Sequence, residues 1–155
     1  MRVYVENTVW GFAFNRQKRQ WQLPSIDLFR AVLQGQHQLV VSDEIESELL
    51  QGAPTNVLTF YYLMQSVAVA NVATTNQVRR LADLYVSEGI VPAGKPVDAL
   101  HVAHATIAEC DALVSWDGTH IVKKWRIAEY NRVNQAQGYG SLIIATPAAF
   151  LQQYP

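Results

Sequence analysis

PVDALHVAHA, at Pro96–Ala105, predicts a buried helix. After a short gap, DALVSWD at Asp111–Asp117 predicts that the chain continues into a buried strand. A proline suits the start of a helix, because the N–H that it lacks would be unpaired there anyway. Asp98 lies in the first turn, where an acid interacts favourably with the positive end of the helix dipole. The helix is nearly apolar all round, which is typical of a helix inside a layered domain.

The second segment predicts a strand over Leu113–Trp116 that ends at Asp117. In open α/β sheets, ligands bind and chemistry occurs at the carboxyl ends of the strands. A helix that follows a strand begins at that same edge of the sheet. We therefore expect Asp98 and Asp117 to lie near each other.

The rest of the chain alternates between short apolar runs and helical patterns. Further strands are predicted at Arg2–Val5, Gln38–Val41, Val67–Ala70 and Leu142–Ala145. This alternation predicts an α/β fold with a parallel sheet and helices on both of its faces. No repeat, low-complexity tract or linker is present, so residues 1–155 are expected to form a single domain.

Capping residues predict where the helices begin. Asn7 or Thr8 can cap the helix after the first strand, and Ser25 can cap the next one. Later caps are predicted at Ser42, Thr75 and Thr146. The polar stretch Asn15–Gln22 is either a solvated loop or a basic lip suited to nucleic-acid contacts.

Composition limits the class of protein. Half of the 155 residues are hydrophobic, which argues against a disordered chain, and the net charge of −1 argues against a general polyanion-binding surface. The single Cys110 excludes an intramolecular disulfide and fits a reducing compartment. Met1–Glu6 does not fit a signal peptide, and no segment approaches the ~18 apolar residues of a membrane span, so we expect a soluble, cytoplasmic protein.

Four acids are expected to meet at one edge of the sheet. Glu6 follows the first strand, Glu48 (or Glu44) lies on the helix after the second strand, Asp98 begins the buried helix, and Asp117 follows the fourth strand. Converging carboxylates raise one another's pKa values unless a cation binds. Oxygen ligands suit Mg²⁺ or Mn²⁺, and such an ion can activate water and stabilise the charge on a phosphodiester.

Each of these acids also has a purely structural explanation. Asp98 can simply complement its helix dipole, and Glu48 can be a solvated surface acid. Asp117 can initiate the Asp-Gly turn, while Glu6 can pair with a basic side chain. Spacing alone leaves both interpretations open.

Taken together and in order, several segments resemble a PIN domain. These are Val3–Trp10, Val40–Glu48, Val97–Ala103, and Leu113–Asp117 with His120–Val122. The resemblance extends over nearly the whole chain. The PIN-domain proteins that the chain resembles include the VapC-type toxins of prokaryotes. It implies a three-layer α/β/α sandwich with a mainly parallel five-stranded sheet. It also implies an Mg²⁺- or Mn²⁺-dependent ribonuclease.

The resemblance also implies roles for individual residues. Glu6, Glu48, Asp98 and Asp117 match the catalytic acids, with Glu6, Asp98 and Asp117 as metal ligands and Glu48 completing the site or orienting the attacking water. Thr8 matches the family's hydroxyl residue. Together with Ser115, it is expected to donate hydrogen bonds to the acids. A toxin of this type implies an antitoxin partner and a homodimer.

One residue departs from the family pattern. The family usually has aspartate where this chain has Glu6. The extra methylene displaces the carboxylate by roughly one bond length, and ~1 Å of misplacement can cost ~100-fold in rate. A weakened or inactive PIN-like module that binds RNA or a protein partner is therefore the alternative to a ribonuclease. A hydrolase with an aspartate nucleophile is disfavoured, because Glu6–Thr8 lacks an Asp-x-Asp arrangement.

The histidines and basic residues near the acids are expected either to contact RNA or to have structural roles. His101 and His120 could act as metal ligands or bases, but an all-oxygen site does not need them, so a structural or RNA-contacting role is favoured. Lys123, Lys124 and Arg126 form either a phosphate-binding patch or an ordinary solvated surface.

Overall fold

The structure is a computed structural model that describes residues 1–155, and it contains five strands and eight helices. The strands are β1 (Arg2–Val5), β2 (Gln38–Ser42), β3 (Ala70–Val72), β4 (Ala112–Val114) and β5 (Ile143–Ala145). The helices are α1 (Asn7–Phe12), α2 (Arg19–Leu33), α3 (Asp43–Gly52), α4 (Thr55–Gln65), α5 (Asn76–Ser87), α6 (Pro96–Ile107), α7 (Lys124–Ala136) and α8 (Pro147–Gln153). None of the helices combines the length and the apolar character that crossing a membrane requires.

All five strands are parallel and form one sheet in the order β3-β2-β1-β4-β5. Val3, Tyr4 and Val5 of the central strand have no exposed surface. Because successive side chains of a strand point to opposite faces, both faces of the sheet must be covered. Helix α5 packs against α6 and α7, and α2 packs against α1 and α8. The predicted three-layer α/β/α fold is confirmed.

The strand order changes direction between β1 and β4. From β1 the chain adds β2 and β3 on one side, and it then crosses to add β4 and β5 on the other. Tyr4 of β1 is paired with Val40 of β2 and with Leu113 of β4. Crevices for ligands form at such reversals, outside the carboxyl ends of the strands. The acids that follow β1 and β4 therefore lie beside this crevice.

Three predicted helix caps are present. Ser42 Oγ accepts from Ile45 N at 3.3 Å at the start of α3, and Thr75 Oγ1 accepts from Val78 N at the start of α5. The hydroxyl of Thr146 does the same at the start of α8. Each cap satisfies a backbone N–H that has no partner within its own helix.

The second helix begins earlier than predicted. Ser25 does not cap α2, which starts at Arg19 and contains Pro24. Instead, the Ser25 hydroxyl donates to the carbonyl of Trp21 at 2.7 Å. Trp21 packs against Phe12 with 5.0 Å between ring centroids, so tertiary packing of the first turn overrides the proline signal.

The edge strand is also displaced. The apolar run Val67–Ala70 predicted a strand there, but β3 is formed by Ala70–Val72. Val67 and Val69 are about half exposed. Only the amide of Val69 reaches the sheet, where it donates to Leu39 O at 2.9 Å. At a sheet edge, one side of the strand has no neighbour, so an apolar run there does not fix the register as firmly as in the centre.

Candidate active site

The four predicted acids come from four different elements. Glu6 directly follows β1, and its backbone N–H donates to Val114 O of β4 at 3.0 Å. Asp117 lies three residues beyond the end of β4, and Asp98 lies in the first turn of α6. Glu48 lies on α3. The structure brings all four to the carboxyl edge of the sheet but divides them among separate hydrogen-bonding environments.

Glu6 is buried and has internal partners. Its Oε2 accepts from Thr8 N at 3.1 Å, Thr8 Oγ1 at 2.6 Å and Ser115 Oγ at 2.7 Å. Glu6, rather than Asn7 or Thr8, is thus the N-cap of α1. Burial raises the pKa of Glu6 above its ordinary value, although the charge of His101 and these hydrogen bonds oppose the shift.

Thr8 and Ser115 connect Glu6 to the loop that carries Asp117. The hydroxyl of Thr8 accepts from Trp116 N at 2.9 Å, and that of Ser115 accepts from Asp117 N at 2.9 Å. Both hydroxyls donate to Glu6 Oε2. Each hydroxyl therefore uses its proton for Glu6 and a lone pair for the backbone after β4.

A second environment contains Asp98, Asp117 and His120. The Nδ1 atom of His120 lies 3.0 Å from Asp98 Oδ2 and 3.9 Å from Asp117 Oδ2. One ligand atom from each of the three residues lies within 4.8 Å of the others. The other carboxylate oxygen of Asp117 accepts from the backbone N–H groups of Thr119 and His120, both at 2.9 Å, which fixes the turn.

These three side chains fit a divalent cation. Burial and the nearby charge of Asp117 raise the pKa of Asp98, while His120 opposes the shift. The pair of carboxylates thus carries negative charge that its surroundings do not fully compensate. Ligand atoms about 2.1 Å from an Mg²⁺ or Mn²⁺ ion are about 3.0 Å apart at octahedral angles. His120 Nδ1 already lies at this distance from Asp98 Oδ2, whereas Asp117 Oδ2, at 3.9 Å, would move closer on binding.

Glu48 belongs to a third environment. One of its carboxylate oxygens is hydrogen-bonded to His101 Nε2, and the other accepts from Asn7 Nδ2 at 3.4 Å. A groove of about 440 Å³ lies beside Glu48, with Asn7, Gly11 and Leu49 among its walls. Glu6 and Glu48 lie outside the group of three residues that could share one ion.

The residues considered for RNA contacts differ in exposure. His101 has no exposed surface, and its two ring nitrogens face Tyr4 and Glu48. Arg126 is bound to the carbonyl oxygens of Thr119 and Ile90. Among these residues, the exposed ones are Lys123 and Lys124, at the start of α7.

A likeness to one solved structure supports the fold. A chain of the crystal structure of VapBC2 from Rickettsia felis, bound to a DNA fragment from their promoter, aligns with a TM-score of 0.57 and 10% sequence identity. The alignment covers 94% of this chain and 98% of that chain. The chain has a PIN-like fold. No family model matches the sequence, and no curated protein matches it.

Within this PIN-like fold, the contacts of His120 and Tyr4 go beyond what sequence reasoning supplied. The sequence favours a structural or RNA-contacting role for His120 over a ligand role, whereas the structure places this residue between Asp98 and Asp117. The signal for it was the spacing of three residues from Asp117 in a predicted turn. Tyr4 gave no signal, because a tyrosine in a central strand is indistinguishable from ordinary core.

His104, one turn beyond His101 on α6, gives a prediction for stability against pH. Its Nε2 lies 2.9 Å from Thr74 Oγ1, whose hydroxyl donates to Asp43. Burial lowers the pKa of His104 to about 4, although the charge of Asp43 opposes the shift. A neutral histidine of this kind stabilises the fold above pH 6.5, and this contribution is lost as the pH falls from 6.5 towards 4.

We expect this group to account for about 2–3 kcal/mol of the free energy of unfolding that is lost between pH 7 and pH 4.5. Urea unfolding at both pH values, for the wild type and for His104→Gln, measures the contribution. Glutamine can keep a hydrogen bond to Thr74 but does not titrate, so the variant should lose less stability on acidification. An identical loss in both proteins would contradict the prediction.

Proposed function

We propose that this protein is a metal-dependent endoribonuclease and the toxin of a toxin–antitoxin pair. The proposal rests above all on the group formed by Asp98, Asp117 and His120 at the reversal of strand order. This is the place where an open α/β sheet supports binding and chemistry. The likeness of fold to a chain of a VapBC2 structure agrees with the proposal.

Asp98, Asp117 and His120 would hold the divalent cation. Imidazole is a better ligand for Mn²⁺ than for Mg²⁺, so we propose Mn²⁺ as the more effective ion and Mg²⁺ as the weaker one. A cation there would supply Lewis-acid stabilisation of the charge that develops on a phosphodiester. We also propose Glu6 as a further ligand, which Mn²⁺ titration of Glu6→Gln would test.

The remaining groups would either act on the substrate or hold the site in place. Glu48 keeps an oxygen on the Asn7 side of the cleft, where it could orient a water molecule for attack on the phosphorus. Lys123 and Lys124 are exposed at the start of α7 and would bind phosphates of the RNA backbone. Thr8 and Ser115 would keep the loop of Asp117 in place through their backbone contacts.

The proposed partners are an antitoxin protein and a second copy of the chain. The support is the VapBC2 assembly in which the structural neighbour occurs. We also propose a cytoplasmic location, since a toxin of this type would act on cellular RNA.

A second candidate function is binding without catalysis. It is favoured by the internal partners of two acids, since Glu6 accepts three hydrogen bonds and Glu48 is bound to His101. Such a protein would bind RNA or a protein partner with or without a cation. Metal binding without cleavage of any RNA would support this candidate over the ribonuclease.

The test is cleavage of end-labelled single-stranded RNA by the purified protein. We expect cleavage with Mn²⁺, slower cleavage with Mg²⁺, none with EDTA, and recovery when excess Mn²⁺ is restored. Asp117→Asn, purified in the same way, controls for contaminating ribonucleases, and DNA of the same sequence tests substrate class. Equal cleavage by wild type and Asp117→Asn, or cleavage that persists in EDTA, would refute the proposed function.

A further inference from the structure

A continuous chain of hydrogen bonds runs from the core of the sheet to Glu48. Ser42 Oγ and Tyr4 Oη are 2.7 Å apart, and Tyr4 Oη is 2.7 Å from His101 Nδ1. The opposite ring nitrogen, Nε2, is bonded to Glu48. The chain thus joins β1, α6 and the consecutive elements β2 and α3.

Only one end of this chain reaches solvent. Ser42, Tyr4 and His101 have no exposed surface, whereas the Glu48 side chain is 26% exposed. A buried polar group without a partner destabilises the fold, so a chain of three such groups is retained only if each of them is satisfied. These hydrogen bonds therefore hold the imidazole ring of His101 in one orientation.

The available donors determine the direction of the chain. Ser42 Oγ already accepts from Ile45 N, so its own proton is free to be donated to Tyr4. Tyr4 then donates to Nδ1 of His101, and Nε2 is left to donate to Glu48. In the opposite direction, Tyr4 would donate to Ser42, and the Ser42 proton would lack an acceptor.

The same chain anchors helix α3 at two points. Ser42 caps the start of α3, and Glu48 lies almost two turns further along it. His101 fastens that second point to the sheet through Tyr4. Rotation of α3 or a change of the Glu48 rotamer would break the hydrogen bond between His101 and Glu48.

From this geometry we propose that His101 is a positioning residue, which Tyr4 and Ser42 hold in the orientation that donates to Glu48. With one carboxylate oxygen fixed by His101, the other is kept on the side of Asn7 and the groove. The catalytic consequence rests on the proposed function, because only a ribonuclease needs Glu48 to orient water. The fixed orientation of the ring does not depend on that function.

The kinetic test compares variants of two buried histidines on α6. His101→Leu removes the donor to Glu48 and should lower kcat for RNA cleavage about 10–100-fold, with KM changed less than about 3-fold. His101→Gln keeps an N–H donor and should recover most of the lost rate. His104→Leu is the matched control, since His104 is equally buried but lies near Thr74 and Asp43 rather than Glu48. Its kcat should stay at the wild-type level while its stability falls.

Equal losses of kcat in His101→Leu and His104→Leu would overturn the proposal, because they would show a merely structural effect. Failure of His101→Gln to recover any rate, in a folded protein, would also overturn it.

A second readout separates this proposal from the proposed function. Nitrogen-15 spectra of the imidazole rings should place a proton on Nε2 of His101 in the wild type. In Tyr4→Phe, the loss of the phenolic donor should release the ring into a mixture of tautomers. If the wild type cleaves no RNA, the ribonuclease proposal fails, yet these spectra still decide the orientation. A proton found on Nδ1 alone, or spectra unchanged in Tyr4→Phe, would refute the proposed orientation of His101.

Discussion

Asp98→Asn is expected to weaken Mn²⁺ binding at least about 100-fold and to lower RNA cleavage about 1,000-fold or more. Asp98 Oδ2 is the group closest to His120 Nδ1, and its carboxylate supplies much of the negative charge at the site. A neutral amide is a weaker ligand, and the loss of several kcal/mol of charge stabilisation corresponds to rate factors of this size. Calorimetric titration with Mn²⁺ measures the first effect, and single-turnover cleavage measures the second.

The stability of the same variant should change in the opposite direction. Burial and the charge of Asp117 raise the pKa of Asp98, so in the metal-free protein its ionised form is disfavoured. An acid whose pKa is raised in the folded state lowers stability progressively as the pH rises from its unfolded-state pKa through its folded-state pKa, and the full loss is present above both. We therefore expect metal-free Asp98→Asn to be more stable than the wild type at pH 7.5, with the difference decreasing towards pH 4.

Asp83→Asn serves as the control, because it removes the same charge from an exposed position on α5. It should bind Mn²⁺ as the wild type does. Unchanged Mn²⁺ affinity in Asp98→Asn would remove Asp98 from the site. A large loss of stability at pH 7.5 would instead show that Asp98 serves the fold.

The fold could be predicted because its central elements carry strong local signals. Tyr4 and Leu113 lie within apolar runs that are buried on both faces, and Pro96 with Asp98 predicts the start of α6. The signals failed where packing outweighs local preference. The first turn of α2 depends on Trp21 packing against Phe12, and nothing in the local sequence indicates that contact.

For the candidate site, the sequence indicates which acids lie at the carboxyl edge of the sheet, but not which side chains they contact. The edge of a parallel sheet brings Glu6, Asp98 and Asp117 to one region, whatever the details of packing. Whether Asp98 faces Glu6 or His120 depends on the rotation of α6 and on the turn after Asp117. These are set by contacts across more than a hundred residues, such as that between Ser115 and Glu6. Spacing in the sequence carries no information about them.

Internal partners explain how so many acids coexist at one edge of the sheet. His101 is bonded to Glu48, and His120 lies between Asp98 and Asp117. Burial opposes a charge on His101, yet its hydrogen bond with Glu48 and the charge of Glu6 raise its pKa above the ordinary value. The Nε2–H of His101 therefore satisfies one carboxylate oxygen of Glu48, and a divalent cation held by Asp98, Asp117 and His120 would offset negative charge that these contacts leave.

The variants Glu6→Ala and Glu6→Gln separate the role of Glu6 as the cap of α1 from its predicted role as a metal ligand. Alanine leaves the N–H and hydroxyl of Thr8 and the hydroxyl of Ser115 without their acceptor, so the free energy of unfolding should fall by about 3 kcal/mol. Glutamine can place its carbonyl oxygen where Oε2 lies, because all three partners donate to that one atom. Glu6→Gln should therefore remain close to the wild type in urea unfolding.

Mn²⁺ titration of Glu6→Gln then tests the predicted ligand role directly. In glutamine, the NH₂ group stands where Oε1 of Glu6 lies. Oε1 is the oxygen that a cation would use, since Oε2 already accepts from three donors. Because Glu6 lies outside the group formed by Asp98, Asp117 and His120, we expect the Mn²⁺ affinity to change less than about 10-fold. A loss as large as that of Asp98→Asn, in a protein of unchanged stability, would show that Glu6 binds the ion. The effect of glutamate in place of aspartate would then be on the metal centre itself rather than on the cap of α1.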